Sequence, residues 1–239
     1  MNERSEGRLM RLQRALGQGG SLRLAEAAAL CDVSEMTIRR DLAGSDGSLV
    51  LIGGYLMLAS DPRHASVYDL AVQRDRNAEV KRQLCERALA TLAEGDTLFI
   101  DCGTTLTPLA ASLPDGMSLT VVTYALNIAE AVSKRPGVRL WLLGGAFHDS
   151  SRSFSSDQMA EEIRGFGLNK AFLTAAGVDE RQGLSCFHFH EVAPKQAAIA
   201  TAQRRILVVD ASKRGMVRPA RFGGLEDIDE VITEEGIDD

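Results

Sequence analysis

Three sets of residues in this chain have types and spacing suited to chemistry. Asp101-Cys102-Gly103-Thr104-Thr105 joins an acceptor carboxylate to a glycine and two hydroxyls. Free amides at the start of a helix there would suit a phosphate, and Asp101 a sugar hydroxyl. Lys195 and Lys213 are the cations suited to neutralise such a phosphate. Ser34-Glu35-Met36-Thr37-Ile38-Arg39-Arg40 offers a guanine edge the paired donors of Arg40, and a thymine methyl or a phosphate the Thr37 side chain. Arg39 adds a charge suited to the DNA backbone.

The elements that position the arginines can be read around them. Leu24 to Leu30 is a strong helix former, Cys31-Asp32-Val33 makes a short turn, and Ser34 is placed to cap a second helix. On that helix Ile38 and Leu42 lie four apart on one face, while Met36, Thr37 and Arg40 fall on the other. From Ser48 to Leu58 two apolar β-type runs are broken by Gly53-Gly54, which predicts a hairpin. Two adjacent arginines alone would favour a solvated amphipathic helix whose charges merely keep it soluble. The ordered set of helix, turn, capped helix and hairpin favours a winged helix-turn-helix that reads double-stranded DNA.

Past Asp61-Pro62-Arg63-His64 the pattern changes. A helix is expected from Ala78 to Ala93, with Val80, Leu84, Ala88 and Leu92 recurring every four residues. Short apolar strands are expected at Thr97–Asp101, Leu119–Thr123, Val138–Leu143, Ala171–Ala175 and Ile206–Asp210, with a last one near Glu230–Thr233. Uniformly apolar strands alternating with helices predict a mostly parallel α/β domain, whose ligand sits at the carboxyl edge. The strand ends there are polar or glycine-rich: Asp101 to Thr105, Thr123-Tyr124, Gly144-Gly145, Gly177 with Asp179, and Asp210 to Lys213. Any one of these could be an ordinary turn; five together point to a binding edge. The expected organisation is a reader over 1–60, a linker over 61–78 and a sensor over 79–239.

Composition limits the classes of function. The 239 residues are 45% hydrophobic, with a formal charge of −6. Residues 1–60 hold seven arginines, no lysine and seven acidic side chains, so the net negative charge belongs to the remainder. An acidic body repels DNA, and specific binding should therefore need two or more readers in a homo-oligomer. No apolar run reaches the roughly 20 residues of a membrane helix, so no membrane partner is expected and the cytoplasm is the expected location. Cys31, Cys85, Cys102 and Cys186 form no Cys-x-x-Cys pair and read as reduced thiols.

The first sixty residues resemble the DNA-binding domain of DeoR-type sugar regulators, on Ser34-Glu35-Met36-Thr37-Ile38-Arg39-Arg40-Asp41-Leu42. Asp101 to Thr105, Leu143-Gly144-Gly145 and Val208-Val209-Asp210-Ala211-Ser212-Lys213 resemble the sensor domain of the same family. The resemblance implies a repressor whose sensor is similar in fold to ribose-5-phosphate isomerase. It implies a phosphorylated sugar as effector, deoxyribose 5-phosphate first, and no cofactor. Many members carry basic residues in the wing before Gly-Gly; Val50-Leu51-Ile52 stands there instead. The chain ends at Asp239, where members usually continue for a short segment.

An enzyme is the competing class, because the fold relative isomerises a sugar phosphate. That chemistry needs a carboxylate base and donors for an enediolate. The isomerase's acidic loop carries two aspartates around Gly-Ala, whereas Ala176-Gly177-Val178-Asp179 keeps only the second, and Glu191 is a base with nothing to place it. Cys186, His188 and His190 alternate and would share one face of an extended segment, with zinc-ligand chemistry. Their spacing lacks a fourth ligand, so a loop touching sugar or solvent is preferred and no metal is expected.

Overall fold

The computed structural model describes residues 3–16, 22–43, 45, 48–52, 55–58 and 77–234. The chain divides into two compact units, Met1–Ser66 and Val67–Asp239. The linker expected over 61–78 lies outside the described residues except at its last two positions, as does the Gly53-Gly54 turn.

The first unit holds helices α1 (Glu3–Leu16), α2 (Leu24–Cys31) and α3 (Glu35–Ala43), with strands β1 (Leu22–Arg23), β2 (Leu49–Ile52) and β3 (Tyr55–Leu58). β2 and β3 pair antiparallel from Leu49↔Leu58 to Ile52↔Tyr55, as a hairpin requires, and β1 adds to the outer side of β3. Leu9, Leu12 and Leu16 of α1 meet Leu24, Ala27 and Ala28 of α2, Ile38 of α3, and Leu49 and Leu56 of the hairpin. The turn between α2 and α3 is closed by Asp32, which adopts the left-handed conformation (φ 54°) that Asp tolerates better than most residues. Its N–H returns to Ala28 and Ala29 carbonyls.

The second unit is built on a six-stranded, all-parallel sheet. Its strands are β4 (Thr97–Ile100), β5 (Leu119–Thr123), β6 (Val138–Leu142), β9 (Lys170–Leu173), β12 (Arg204–Val208) and β14 (Glu230–Ile232), in the order β14-β12-β9-β4-β5-β6. Helices α4 (Ala78–Leu89), α5 (Thr107–Ala111) and α6 (Leu126–Val132) pack in a row, while α7 (Met159–Arg164) and α8 (Val192–Thr201) pack as a pair. Connections leave β4 in one direction and β9 in the other, and right-handed crossovers then place helices on both faces. Central strands are apolar because both faces are covered: Leu98, Phe99, Ile100, Phe172, Leu173, Ile206 and Leu207 are fully buried.

Two smaller pieces were not expected from the sequence. β7 (Ala146–His148) and β8 (Ser153–Ser155) form a hairpin after β6. β10 (Gly177–Asp179), β11 (Gly183–Cys186) and β13 (Ala220–Gly223) form an antiparallel sheet beyond the end of β9. No helix among the described residues is long and apolar enough to cross a membrane.

Candidate functional site

The DNA-facing candidates are arranged by α3. Ile38 is fully buried, while Ser34, Met36, Arg39 and Arg40 are exposed and Thr37 is half-buried. Ser34 Oγ accepts from Thr37 N at 3.3 Å and lies 3.0 Å from Thr37 Oγ1, so the capping hydroxyl also orients the next candidate side chain. Met36 is 73% exposed, an apolar tip with no core to fill.

The sequence reading missed what fixes this helix from behind. Asp41 is buried and accepts from Arg8 Nε (2.7 Å), Arg8 Nη2 (3.0 Å) and Ser5 Oγ (2.9 Å), all from α1. These bonds, led by that from Arg8, hold the Asp41 carboxyl below its usual range despite its burial. Arg8 and Asp41 are 33 residues apart, and neither lies on an apolar stripe, so periodicity gave no signal.

Gly177 and Asp179, expected at the end of β9, lie within β10 of the small antiparallel sheet, whereas parallel pairing brings the polar ends of β4, β5, β6 and β12 to one edge of the six-stranded sheet. At its centre, between β4 and β9, the connections diverge, which opens the crevice where ligands of such sheets bind. Asp101 stands there, fully buried. Its Oδ1 accepts from Tyr124 Oη (2.8 Å) and Cys102 N (2.8 Å), and its Oδ2 from Thr174 N (3.1 Å) and Lys195 Nζ. Lys195 comes from the buried face of α8, also donates to Thr174 O at 3.1 Å and lies over the Phe222 ring. Burial opposes the Lys195 charge; the Asp101 carboxylate against it outweighs that and raises the pKa.

This arrangement corrects three expectations. Asp101 does not offer a free carboxylate to a sugar hydroxyl, Lys195 does not offer an open ammonium to a phosphate, and Tyr124, fully buried, spends its hydroxyl on Asp101. The three hold one another beneath the edge. Glu191, the candidate base, is also buried here; desolvation raises its pKa to about 7, against the pull of Lys195. Burial likewise pushes Cys102 and Tyr124 well above their ordinary values.

Other candidates have structural uses of their own. Thr123 Oγ1 accepts from Ala125 N at 3.1 Å. A Cβ on Gly177 would lie 2.3 Å from Met216 O, and one on Gly145 (φ 138°) 2.2 Å from Ser155 O, so both permit close backbone approach. Asp179 Oδ1 caps the β10–β11 turn, accepting from Arg181 N and Gln182 N. Gly144 is exposed with open space around it. Lys213 is 21% exposed, its Nζ 3.9 Å from Asp210 Oδ2.

The loop Gly103-Thr104-Thr105 meets a residue that the sequence reading did not single out. Lys81 of α4 is 4% exposed and donates from Nζ to Thr104 Oγ1 at 2.8 Å. Four residues earlier, Asn77 Nδ2 reaches Asp210 Oδ1 at 3.3 Å, so the start of α4 spans from the end of β4 to the end of β12. The signal was a lysine in phase with Cys85 and Ala88 on the buried face. Opposite, Asn127 donates from Nδ2 to Gly103 O (3.2 Å) and Thr107 Oγ1 (2.9 Å).

The β7–β8 hairpin folds across the end of β5, with Phe154 N donating to Tyr124 O and Leu126 N to Arg152 O, both at 2.8 Å. It brings His148 onto His190, ring centroids 3.7 Å apart, with His188 5.2 Å beyond. Ser151 and Ser153 lie 3.3 and 3.2 Å from His190 Nε2. Desolvation, with the neighbouring rings, lowers His190 to about 4. The expected common face of Cys186, His188 and His190 is not formed: Cys186 is buried in β11, its thiol directed at the Ala220 and His188 carbonyls. No group of three or more His, Cys, Asp or Glu among the described residues is placed to hold a metal ion. All four cysteines are free and buried, and burial raises each pKa, Cys85 to about 12.

Comparison with known proteins follows this division. Residues 76–235 match the DeoR C terminal sensor domain, and residues 8–57 the DeoR-like helix-turn-helix domain. The chain is 42% identical over 235 residues to the deoxyribose operon repressor of Escherichia coli K12, covering 98% of this chain and 92% of that protein. It is 30% identical over 220 residues to the glycerol-3-phosphate regulon repressor of the same organism, covering 91% and 86%. Among solved structures, ribose 5-phosphate isomerase A of Methanocaldococcus jannaschii superposes with a TM-score of 0.43 and 14% identity, over 58% of this chain and 55% of its own.

Proposed function

The chain belongs to the DeoR family, and on that premise we propose that this DNA-binding transcriptional repressor controls an operon for sugar or deoxynucleoside breakdown and is released by deoxyribose 5-phosphate. It is a regulator and not an enzyme. Its partners in this reading are operator DNA, the sugar phosphate and further copies of itself, in the cytoplasm.

The observation that carries the effector reading is the Gly103 to Thr105 loop with the Lys81 ammonium against Thr104, set where the sheet's connections diverge. Backbone amides, two hydroxyls and an ammonium form a donor set suited to a phosphate. Lys213 adds charge from the β12 end, Asn127 and Gly144 border the sugar, and Asp101, Tyr124 and Lys195 hold the floor rigid beneath it. On α3, Arg40 and Thr37 read base edges, Ser34 and Arg39 contact phosphates, and Met36 packs against a thymine methyl or the sugar backbone.

An effector can release the operator only by binding one arrangement of the subunits more tightly than the other. Thermal-shift titration with deoxyribose 5-phosphate, ribose 5-phosphate and the unphosphorylated sugars tests the reading. Stabilisation by the deoxyribose ester at the lowest concentration, together with loss of operator binding at that concentration, is expected. No stabilisation by any phosphorylated pentose, or stabilisation without an effect on operator binding, would overturn it.

A further inference from the structure

β6 is an edge strand of the six-stranded sheet, and among the described residues no strand pairs with its outer side. It also carries large apolar side chains left partly in water: Trp141 is 50% exposed and Leu142 40%, with Phe147 at 46% just beyond. A bare apolar edge invites another strand, and soluble proteins keep one only where something covers it.

The sequence of the edge says what fits. Leu143 N donates inward to Thr123 O, and alternate residues of a parallel strand face the same neighbour. Arg139 and Trp141 therefore point their backbone groups at β5, while Val138, Leu140 and Leu142 point theirs outward. An antiparallel copy of β6, centred on Leu140, would exchange hydrogen bonds at Leu140 with its own equivalent and at Val138 with Leu142. In that register each Arg139 lies directly opposite a Trp141, in the pair class whose Cβ atoms are about 4.5–5.5 Å apart. Arg139 is exposed, and a guanidinium over an indole is an attractive pair. The segment Val138-Arg139-Leu140-Trp141-Leu142 is thus complementary to itself about a two-fold axis, the symmetry a homodimer needs.

We propose that two copies of this chain associate through β6, joining their sheets edge to edge. The proposal gives the homo-oligomer of the repressor reading a definite surface, and rests on that reading for its purpose alone.

The test uses the full chain without DNA or effector, in sedimentation velocity over a dilution series. The wild type should sediment as a dimer that dissociates on dilution, while the emission of Trp141, the chain's single tryptophan, moves to longer wavelength. Trp141→Arg sets two arginines opposite each other and should weaken the dimer roughly tenfold or more, about 1.4 kcal/mol. Trp141→Glu sets a carboxylate against Arg139 and should keep the dimer within about threefold. Arg139→Glu combined with Trp141→Arg should restore what Trp141→Arg loses. If Trp141→Arg does not fold, Arg139→Glu, at an exposed side chain, should by itself weaken the dimer. A wild type that stays monomeric, an unaffected Trp141→Arg dimer, or equal losses in Trp141→Arg and Trp141→Glu would overturn the interface. These results leave the repressor reading untouched, since that reading stands or falls on operator and sugar-phosphate binding.

Discussion

Each unit of this protein contains a buried carboxylate tied to a cation from a distant helix, and the two are used in opposite ways. In the reader, Asp41 and Arg8 lie behind α3, and the residues that suggested function in the sequence stand on the open side. In the sensor, Asp101 and Lys195 were themselves the residues that suggested function, and they lie underneath. A helix separates its inner and outer faces by period, so residue type and position can be combined along one element. At the carboxyl edge of a parallel sheet no such period applies. A polar residue there faces the ligand or folds down against a neighbouring strand, and type alone does not decide which.

Breaking the deeper ion pair is the strongest test of that contrast. Lys195→Met leaves Asp101 charged, buried and short of a partner, and should destabilise the sensor by about 3–5 kcal/mol, read as a fall in its thermal transition. A change within roughly 0.5 kcal/mol, the range of a surface substitution, would mean that Lys195 is open to ligand after all.

Glu191→Gln tests the burial of this carboxyl by pH. A glutamate with an ordinary value of 4.5, raised by burial to about 7, holds its proton in the folded state alone across that interval. Its contribution is therefore complete below the ordinary value and lost as pH rises through the folded one, at up to about 1.4 kcal/mol per unit. His190, lowered from 6.5 to about 4, has the opposite sign: stability grows as pH rises from about 4 to 6.5. Between pH 5 and 6.5 the fall from Glu191 opposes the rise from His190, to which His188, also lowered by burial, adds, and Glu191→Gln should make stability climb more steeply in melts across that range. An unchanged profile would place Glu191 in solvent.

Smaller effects are expected where the side chains are exposed. Arg40→Ala should cost about 1–3 kcal/mol of operator affinity with no change in melting temperature or in sugar-phosphate affinity; loss of both activities would sink the division of labour between the units. Lys213→Ala should leave operator binding intact and weaken the response to sugar phosphate by about tenfold, as expected for one partly solvated charge contact. An unaltered inducer response would remove Lys213 from the site.

What the sequence disclosed follows the same physical line. The capped α3, the turn at Asp32, the β2–β3 hairpin and the six strands of the parallel sheet were legible because each is written locally, in caps, turn residues and apolar runs. Gly177 and Asp179 lie instead in β10, but the ends of β4, β5, β6 and β12 were legible as a set, since parallel strands must put them on one edge. Contacts between distant residues were not. Nothing near Lys81 announces Thr104, Asp41 gives no hint of Arg8, and the stacking of His148 on His190 depends on a hairpin folding across β5. The short strands β10, β11 and β13 escaped for a related reason: three or four residues carry too little pattern to distinguish a strand from a turn.

The four buried thiols have a use that does not depend on chemistry at the site. A thiol attacks an alkylating reagent only as an exposed thiolate, so each cysteine reacts at the rate at which its surroundings open. Cys31 times the parting of α2 from the helices around it. Cys85 times the separation of α4 from the Thr105 loop, Cys102 the loosening of the floor under the strand ends, and Cys186 the lifting of β11 from β13. Following the four labelling rates by mass with and without sugar phosphate would give a kinetic map of which parts of each unit the effector quiets, using clocks the chain already carries.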